Sequence, residues 1–249
     1  MNYKYELNKT FFECKEFLLD IDSHFTNSDT KSIHKARNEL KIIPCNRLST
    51  VVKSFKVPHL LNRLVYTFFR DSKAKKSYEY SLKIGDFTPK PIGYIEFYSS
   101  GLLAKSFFIN EEFKYDFTIR EPLLESDFED KEAVFKAFAA FTYALHQNGI
   151  LHKDYSPGNI LIKKEQDGYT FKVVDINRME FKELTPDERL QNFDKLWAKD
   201  DDLRIIIKEY AKIADMDENE AITKALRYSQ KLKDFKNMKK RLKGKPVVD

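Results

Sequence analysis

Apolar positions change their spacing along the chain, and each change marks an element. Within 31–56, the stretches KSIHKAR, ELKIIPC and LSTVVKSFK are short β-prone runs joined by polar turns at Arg37-Asn38 and Asn46-Arg47, the signature of short strands. VPHLLNRLVYTFFRDSKAKKSYEYSLKI follows, with apolar pairs at Leu60-Leu61, Leu64-Val65 and Phe68-Phe69. A repeat of four is a helix period, so one helix inserted among the strands is expected. PIGYIEFYSSGLLAKSFFINEEF returns to strand character, with a hairpin turn at Ser99-Ser100-Gly101.

The second half turns helical. In DKEAVFKAFAAFTYALHQNG, Val134, Phe138, Phe141 and Leu145 share one helix face, and Gly149 stands where a helix stops. ILHKDYSPGNILI then carries a Pro157-Gly158 turn ahead of a buried strand starting at Ile160-Leu161-Ile162. A turn at Gln166-Asp167-Gly168 leads into YTFKVVDINRM, and the chain is helical from about Pro186. The expectation is an α+β protein of two lobes with a cleft between them. A β-rich N-lobe spans 1–115 with one inserted helix, and a compact helical C-lobe spans 116–249, the junction lying near 114–120.

Composition narrows the class. A chain of 249 residues with 42% hydrophobic and 14% aromatic content buries a large core and is not disordered. MNYKYELNKTFFECKEFLLDIDS scatters charges where a secretory signal needs an apolar run, and no stretch approaches the roughly 18 apolar residues of a membrane span. Cys14 and Cys45 are too few for a disulfide framework and favour a reducing compartment. A cytoplasmic protein is expected.

The net charge of +5 is mild, but 224–249 holds ten Lys or Arg against two Asp. That tail reads as a solvated helix face, or more sharply as a contact with anionic lipid or phosphorylated glycan. No nucleic-acid-binding motif accompanies it, so nucleic acid is not an expected partner. RDSKAKKS follows the apolar stripe of 60–69. A core-facing helix with a solvated back is expected there, with an interfacial membrane helix as the alternative.

The candidate chemistry sits on the Pro-Gly loop. Asp154 lies on it and Asp175 ends the apolar strand FKVV, so a strand–turn–strand between them can bring both to one edge. With Asn159 they offer hard oxygen ligands suited to Mg²⁺, and a nearby Asp can position a hydroxyl and accept its proton. Asp154 also has an ordinary reading, as a helix-capping or turn residue. Lys53 in TVVKSF is either an edge-strand lysine or an inward cation, and a buried one needs a partner. Glu79 is the candidate, unless it lies on a solvated face. His152 reads as a brace for the loop and His146 as a plain helix residue. Arg178 is either a cation near the loop or a surface residue.

These residues carry a resemblance. HKDYSPGN is similar to the protein-kinase catalytic loop, VVDIN stands in the place of its D-F-G segment, and TVVKSF is similar to the strand bearing the nucleotide-binding lysine. With VVKSFKVPHLLNRL, SKAKKSYEYSLKI, TPKPIGYIE, ILHKDYSPGNIL and VVDINRM in order, the chain resembles the bacterial lipopolysaccharide core kinases, which phosphorylate Kdo or heptose.

The resemblance implies a protein-kinase-like fold and an ATP- and Mg²⁺-dependent transfer to a sugar hydroxyl of the lipopolysaccharide inner core. Asp154 would be the catalytic base, and Asn159 and Asp175 the metal ligands. Lys53 would reach the α- and β-phosphates, with Glu79 holding it. The acceptor would be a sugar or glycolipid, met by a cytoplasmic enzyme with peripheral contact to the anionic inner membrane. HKARNELK, in the place of the phosphate-covering loop, has no glycine. Either Arg37 and Asn38 meet phosphate by side chain, or the loop closes less tightly. Ser156 replaces the lysine usual in protein Ser/Thr kinases, and no A-P-E signature follows Asp175. The alternatives are a non-catalytic kinase-like module and a kinase of another small molecule or of protein.

Overall fold

The computed structural model describes residues 2–28, 32, 34–35, 38–56 and 59–244. Its contacts divide the chain into two compact units, Met1–Lys114 and Tyr115–Asp249. The first runs β1 (Asn2–Leu7), a 3₁₀ segment (Lys9–Cys14), α1 (Lys15–Leu19), α2 (Ile21–Asn27), β2 (His34–Lys35), β3 (Asn38–Cys45), β4 (Leu48–Phe55), α3 (Leu60–Phe68), α4 (Lys73–Ile84), β5 (Pro91–Ser99) and β6 (Leu102–Glu111). Among the described residues its strands form a six-stranded sheet, ordered β1-β5-β6-β4-β3-β2, with antiparallel neighbours throughout. From KSIHKAR only Ser32 and β2 are described, and Arg37 lies outside the described residues.

Side chains on a strand alternate between faces, and this sheet is apolar on both. Val52, Ile95, Phe97, Phe107 and Ile109 pack against Phe11, Phe17, Leu18, Ile21 and Phe25 of the N-terminal helical segment. Phe55, Tyr94 and Phe108 face the other way and meet Ala74 and Tyr78 of α4. The cysteines, too few for a framework, are nonetheless bonded to each other. The end of the 3₁₀ segment falls on the end of β3, with the Cα atoms of Cys14 and Cys45 6.2 Å apart and both side chains buried.

The stretch read as one helix is two. Ser72 starts α4 by accepting the Lys75 N–H at 3.1 Å, an N-cap that begins a new helix after α3 has ended. The orientation of α3 overturns the core-facing expectation. Leu60, Leu64, Val65, Phe68 and Phe69 are exposed, Phe68 at 66% and Phe69 at 85%. The polar side does the docking: Arg63 Nε donates to the Leu103 carbonyl at 2.7 Å, and the Leu103 N–H donates to Thr67 Oγ1 at 3.0 Å. The cause is a step in the sheet. Strand β4 pairs with β6 only from Ser106 onward, so on that side Leu103 has no strand partner and its backbone groups need others.

The second unit runs β7 (Phe117–Thr118), α5 (Arg120–Leu124), α6 (Lys131–Gln147), β8 (Ile150–His152), β9 (Ile160–Glu165), β10 (Gly168–Val173), β11 (Met179–Phe181), α7 (Pro186–Asn192), α8 (Asp200–Ile213) and α9 (Glu218–Arg241). Val134, Phe138 and Leu145 of α6 are fully or almost fully buried, while Phe141, read on the same face, is half-buried and stacked on Phe171; α6 packs along α8, which packs along α9. Phe138 is the hub, its ring contacting Tyr155, Phe171 and Phe193. Among the described residues no helix is long and apolar enough to cross a membrane.

Gly93 shows how closely β1 lies on β5. A Cβ there would sit 2.6 Å from the Glu6 carbonyl oxygen and 3.0 Å from Leu18 Cδ2. Backbone cannot give way cheaply, so Gly93→Ala is expected to cost about 1–3 kcal/mol, read as a lower urea midpoint at unchanged m-value. A midpoint equal to wild type would show that β1 is not held there.

Candidate functional site

The β9–β10 hairpin closes the sequence gap between the two acids. Its register pairs Val173 with Ile160, and the Val174 N–H continues the pairing by donating to the Asn159 carbonyl at 2.9 Å. The residue after Val174 is Asp175, so hairpin pairing alone brings it beside Asn159. Strand β11 then returns along β8, with Met179 opposite His152, and Arg178 comes to 3.7 Å from Asp154 Oδ2.

The loop is wired by a closed circuit of four hydrogen bonds. His152 Nε2 donates to the Val174 carbonyl at 2.9 Å, and the Asp154 N–H donates to His152 Nδ1 at 3.1 Å. Asn159 Nδ2 donates to the Asp154 carbonyl at 2.9 Å, and the Val174 N–H on Asn159 completes the ring. The pattern assigns the tautomer, because a carbonyl only accepts and a backbone N–H only donates. His152 is therefore neutral, and burial holds its pKa below the ordinary value, with the Val174 carbonyl pulling the other way. It braces the loop, as expected from the sequence.

The acids themselves stay accessible. Asp154 is 40% exposed and Arg178 59%, which answers the question about Arg178: it is a solvent-facing cation beside Asp154. Asp175 has a left-handed backbone, φ 57° and ψ 43°, which Asp tolerates better than most residues. Asn177 Nδ2 donates to its Oδ1 at 2.7 Å. Asn159 uses Nδ2 on Asp154, which turns the opposite corner of the amide, Oδ1, away from the loop backbone. An amide oxygen and a carboxylate are the hard donors a divalent Mg²⁺ takes, so these two residues fit such an ion. Among the described residues there is no group of three or more His, Cys, Asp or Glu able to hold a metal.

Two contacts of the loop, and the chain of hydrogen bonds behind one of them, were not anticipated. Arg120 lies over the Pro157-Gly158 turn, its Nη2 2.8 Å from where a Gly158 Cβ would be. Asn192 Nδ2 donates to the His152 carbonyl at 3.0 Å. Asn192 Oδ1 in turn accepts from His146 Nε2 at 3.1 Å, while His146 Nδ1 accepts from the Tyr210 hydroxyl at 2.8 Å. His146 is a helix residue, as read, but a buried one tied to the loop. No spacing signal linked Asn192 or Tyr210 to it.

In the first unit, Lys53 sits on β4 opposite Leu40 and Phe108. It shares the face of Phe55, two residues on, and that face is the one α4 covers. Its Nζ is 5.4 Å from the Phe55 ring centre. Glu79 is 41% exposed, and its ion pair at 3.6 Å is with Lys75, one turn earlier on α4. Glu96 is a buried carboxylate on the same sheet face, accepting from the Tyr98 hydroxyl at 2.7 Å. The alternation Tyr94-Glu96-Tyr98 in PIGYIEFYSS was the available signal for it.

Residues 82–215, more than half of the chain, match the model of the lipopolysaccharide kinase (Kdo/WaaP) family. The chain belongs to the lipopolysaccharide kinase (Kdo/WaaP) family. A solved structure titled WaaP in complex with acyl carrier protein matches with a TM-score of 0.57 at 17% identity, over 92% of this chain and 99% of that one. At that identity the match is one of fold, and the fold is protein-kinase-like. Among curated proteins nothing matches the chain. The Kdo/WaaP match takes in Asp154, Asn159, Asp175 and the whole hydrogen-bond circuit, while Lys53 and Glu79 fall before it. Kdo/WaaP membership makes the protein a kinase of lipopolysaccharide biosynthesis.

The buried imidazoles give this unit a pH signature. Burial lowers the His146 pKa from 6.5 to about 4, so the unfolded chain takes up a proton that the folded one refuses. The contribution is complete above pH 6.5 and is lost as pH falls toward 4, up to about 3 kcal/mol in all. His152 acts in the same direction. The urea midpoint is expected to drop between pH 7 and pH 5, and to drop less in His146→Gln, which starts lower. Equal slopes for the two proteins would remove His146 from this role.

Proposed function

We propose that the chain transfers the γ-phosphate of ATP to a sugar hydroxyl of the lipopolysaccharide inner core, on Kdo or heptose, at the cytoplasmic face of the inner membrane. The observation that carries this reading is the circuit that fixes Asn159, Asp154 and Val174-Asp175 against one another on a loop with accessible carboxylates. Such positioning is most of what phosphoryl transfer asks of a protein.

In this reading Asp154 orients the acceptor hydroxyl and receives its proton, with Arg178 at 3.7 Å offsetting charge beside it. Asn159 and Asp175 would hold Mg²⁺, which when bound neutralises charge on the phosphates. Asn177 keeps the Asp175 carboxylate in one orientation. Lys53 would be the phosphate-binding cation and Glu79 the carboxylate that holds it, which requires Glu79 to exchange its pairing with Lys75. The anionic acceptor suits the basic end of α9, where Lys239, Lys240 and Arg241 close the helix. Mass spectrometry of the core glycolipid from cells with and without the protein tests the acceptor: loss of one phosphate from a Kdo or heptose is expected, and an unchanged glycolipid refutes it.

Two variants test the roles. Asp154→Asn is expected to keep fold and nucleotide binding while lowering turnover about 10²–10⁴-fold, the usual share of a general base. Turnover within a factor of two of wild type would remove Asp154 from that role. Asp175→Asn suits the left-handed backbone, so its effect is read on the ligand. It is expected to lose the Mg²⁺-dependent part of the melting shift that Mg-ATP produces, since ligand bound to the native state raises apparent stability. The same shift in both proteins would exclude Asp175 as a ligand, and no shift in wild type would favour a non-catalytic module.

A further inference from the structure

Helix α3 is built the wrong way round for a helix packed on a sheet. Its polar residues face the protein, where Arg63 and Thr67 hold the Leu103 backbone. Its apolar residues face out: Leu60, Leu64, Val65 and Phe68, followed by Phe69, are all exposed. At 100° per residue, positions 60, 64, 65 and 68 fall within an arc of about 140°. They form a continuous ridge, and a ridge of this size outside a core marks an interaction surface.

The charge around the ridge says what it meets. Residues 56–76 hold six Lys or Arg and one acid, Asp71; Arg63 is turned to the Leu103 carbonyl and Lys75 is paired with Asp71 at 2.8 Å and Glu79 at 3.6 Å, and Lys56, Arg70, Lys73 and Lys76 make up the rest. Arg70, the next residue after Phe69, is exposed, its guanidinium 6.0 Å from the Tyr66 ring centre on the flank of the ridge. Leucine and phenylalanine on one face, with cations at its margin, are the chemistry of a helix lying at the headgroup–acyl boundary. The cations meet anionic headgroups while the ridge enters the acyl region.

We propose that α3 is an interfacial anchor, seating the first unit on an anionic bilayer with Leu60, Leu64, Val65, Phe68 and Phe69 among the lipid chains. The proposal stands apart from the kinase reading, because it needs no nucleotide and no acceptor. It also differs from a contact through the basic end of α9. Charge pairing there is screened as the Debye length falls from about 10 Å at 0.1 M salt to about 3 Å at 1 M, whereas apolar insertion is not.

The test is co-sedimentation of the full chain with phosphatidylcholine vesicles, with and without phosphatidylglycerol, at both salt levels. Wild type is expected to bind the anionic vesicles and to keep part of that binding at high salt. The triple variant Leu64→Ser, Phe68→Ser, Phe69→Ser is expected to bind at least tenfold more weakly at high salt, at an unchanged melting temperature. Changing Lys239, Lys240 and Arg241 to Gln is expected to reduce the salt-sensitive part and to leave the binding at high salt unchanged. A triple variant that binds like wild type, or wild-type binding abolished by salt, overturns the proposal. So does light scattering that shows a wild-type dimer and a monomeric triple variant, since the ridge would then belong to a second copy. If the triple variant fails to fold, Phe69→Trp reports instead. Its added emission over Trp197 is expected to shift to the blue on anionic vesicles and to be quenched by brominated lipid chains, and absence of quenching overturns the proposal equally.

Discussion

A buried imidazole with both nitrogens committed holds the Pro157-Gly158 loop. His152 donates to the Val174 carbonyl and accepts from the Asp154 N–H, so one ring measures the distance between the loop and the end of β10. A proton on Nδ1 would set two donors against each other, and burial opposes that proton. Everything the site needs hangs on this ring. Asp154 takes its backbone direction from it, Asn159 reaches across to the Asp154 carbonyl, and Asp175 begins where Val174 is clamped on both sides. Behind the ring, Asn192, His146 and Tyr210 carry the constraint into the helical core.

Much of this was legible in the residues. The Pro-Gly turn, the apolar run after it and the Gln166-Asp167-Gly168 turn pointed to a strand–turn–strand able to bring Asp154 and Asp175 to one edge, and the register that sets Asp175 beside Asn159 is what the structure adds. The helix at Val134, Phe138 and Leu145 followed from its period alone. Asn192 and Tyr210 were not legible, because their partners lie far along the chain and nothing local marks a buried amide or phenol. Arg120 over Gly158 was missed for the same reason: a close approach leaves no trace in periodicity, only a glycine with more than one explanation.

The first unit shows where pattern and packing part company. Apolar residues at a repeat of four say helix, but they do not say which side is covered. That was decided by strand lengths, since β4 stops short of β6 and leaves Leu103 asking for polar partners. Arg63 and Thr67 answered, and the apolar side was left outward. Lys53 obeys the simpler rule: its parity with Phe55 assigns it to the face of α4 whatever happens at the edge.

The step at Leu103 has a bearing on solubility. An uncovered strand margin is a template on which any extended segment of another chain can add itself, and sheets commonly guard such margins with a bulge, a proline or a charge. Here the guard is a pair of side chains reaching across from a helix, Arg63 on the carbonyl and Thr67 on the amide. The margin is therefore safe only while α3 is formed and in place. The interval during synthesis between the emergence of β6 and the docking of α3 is when this protein is most open to joining its neighbours strand to strand.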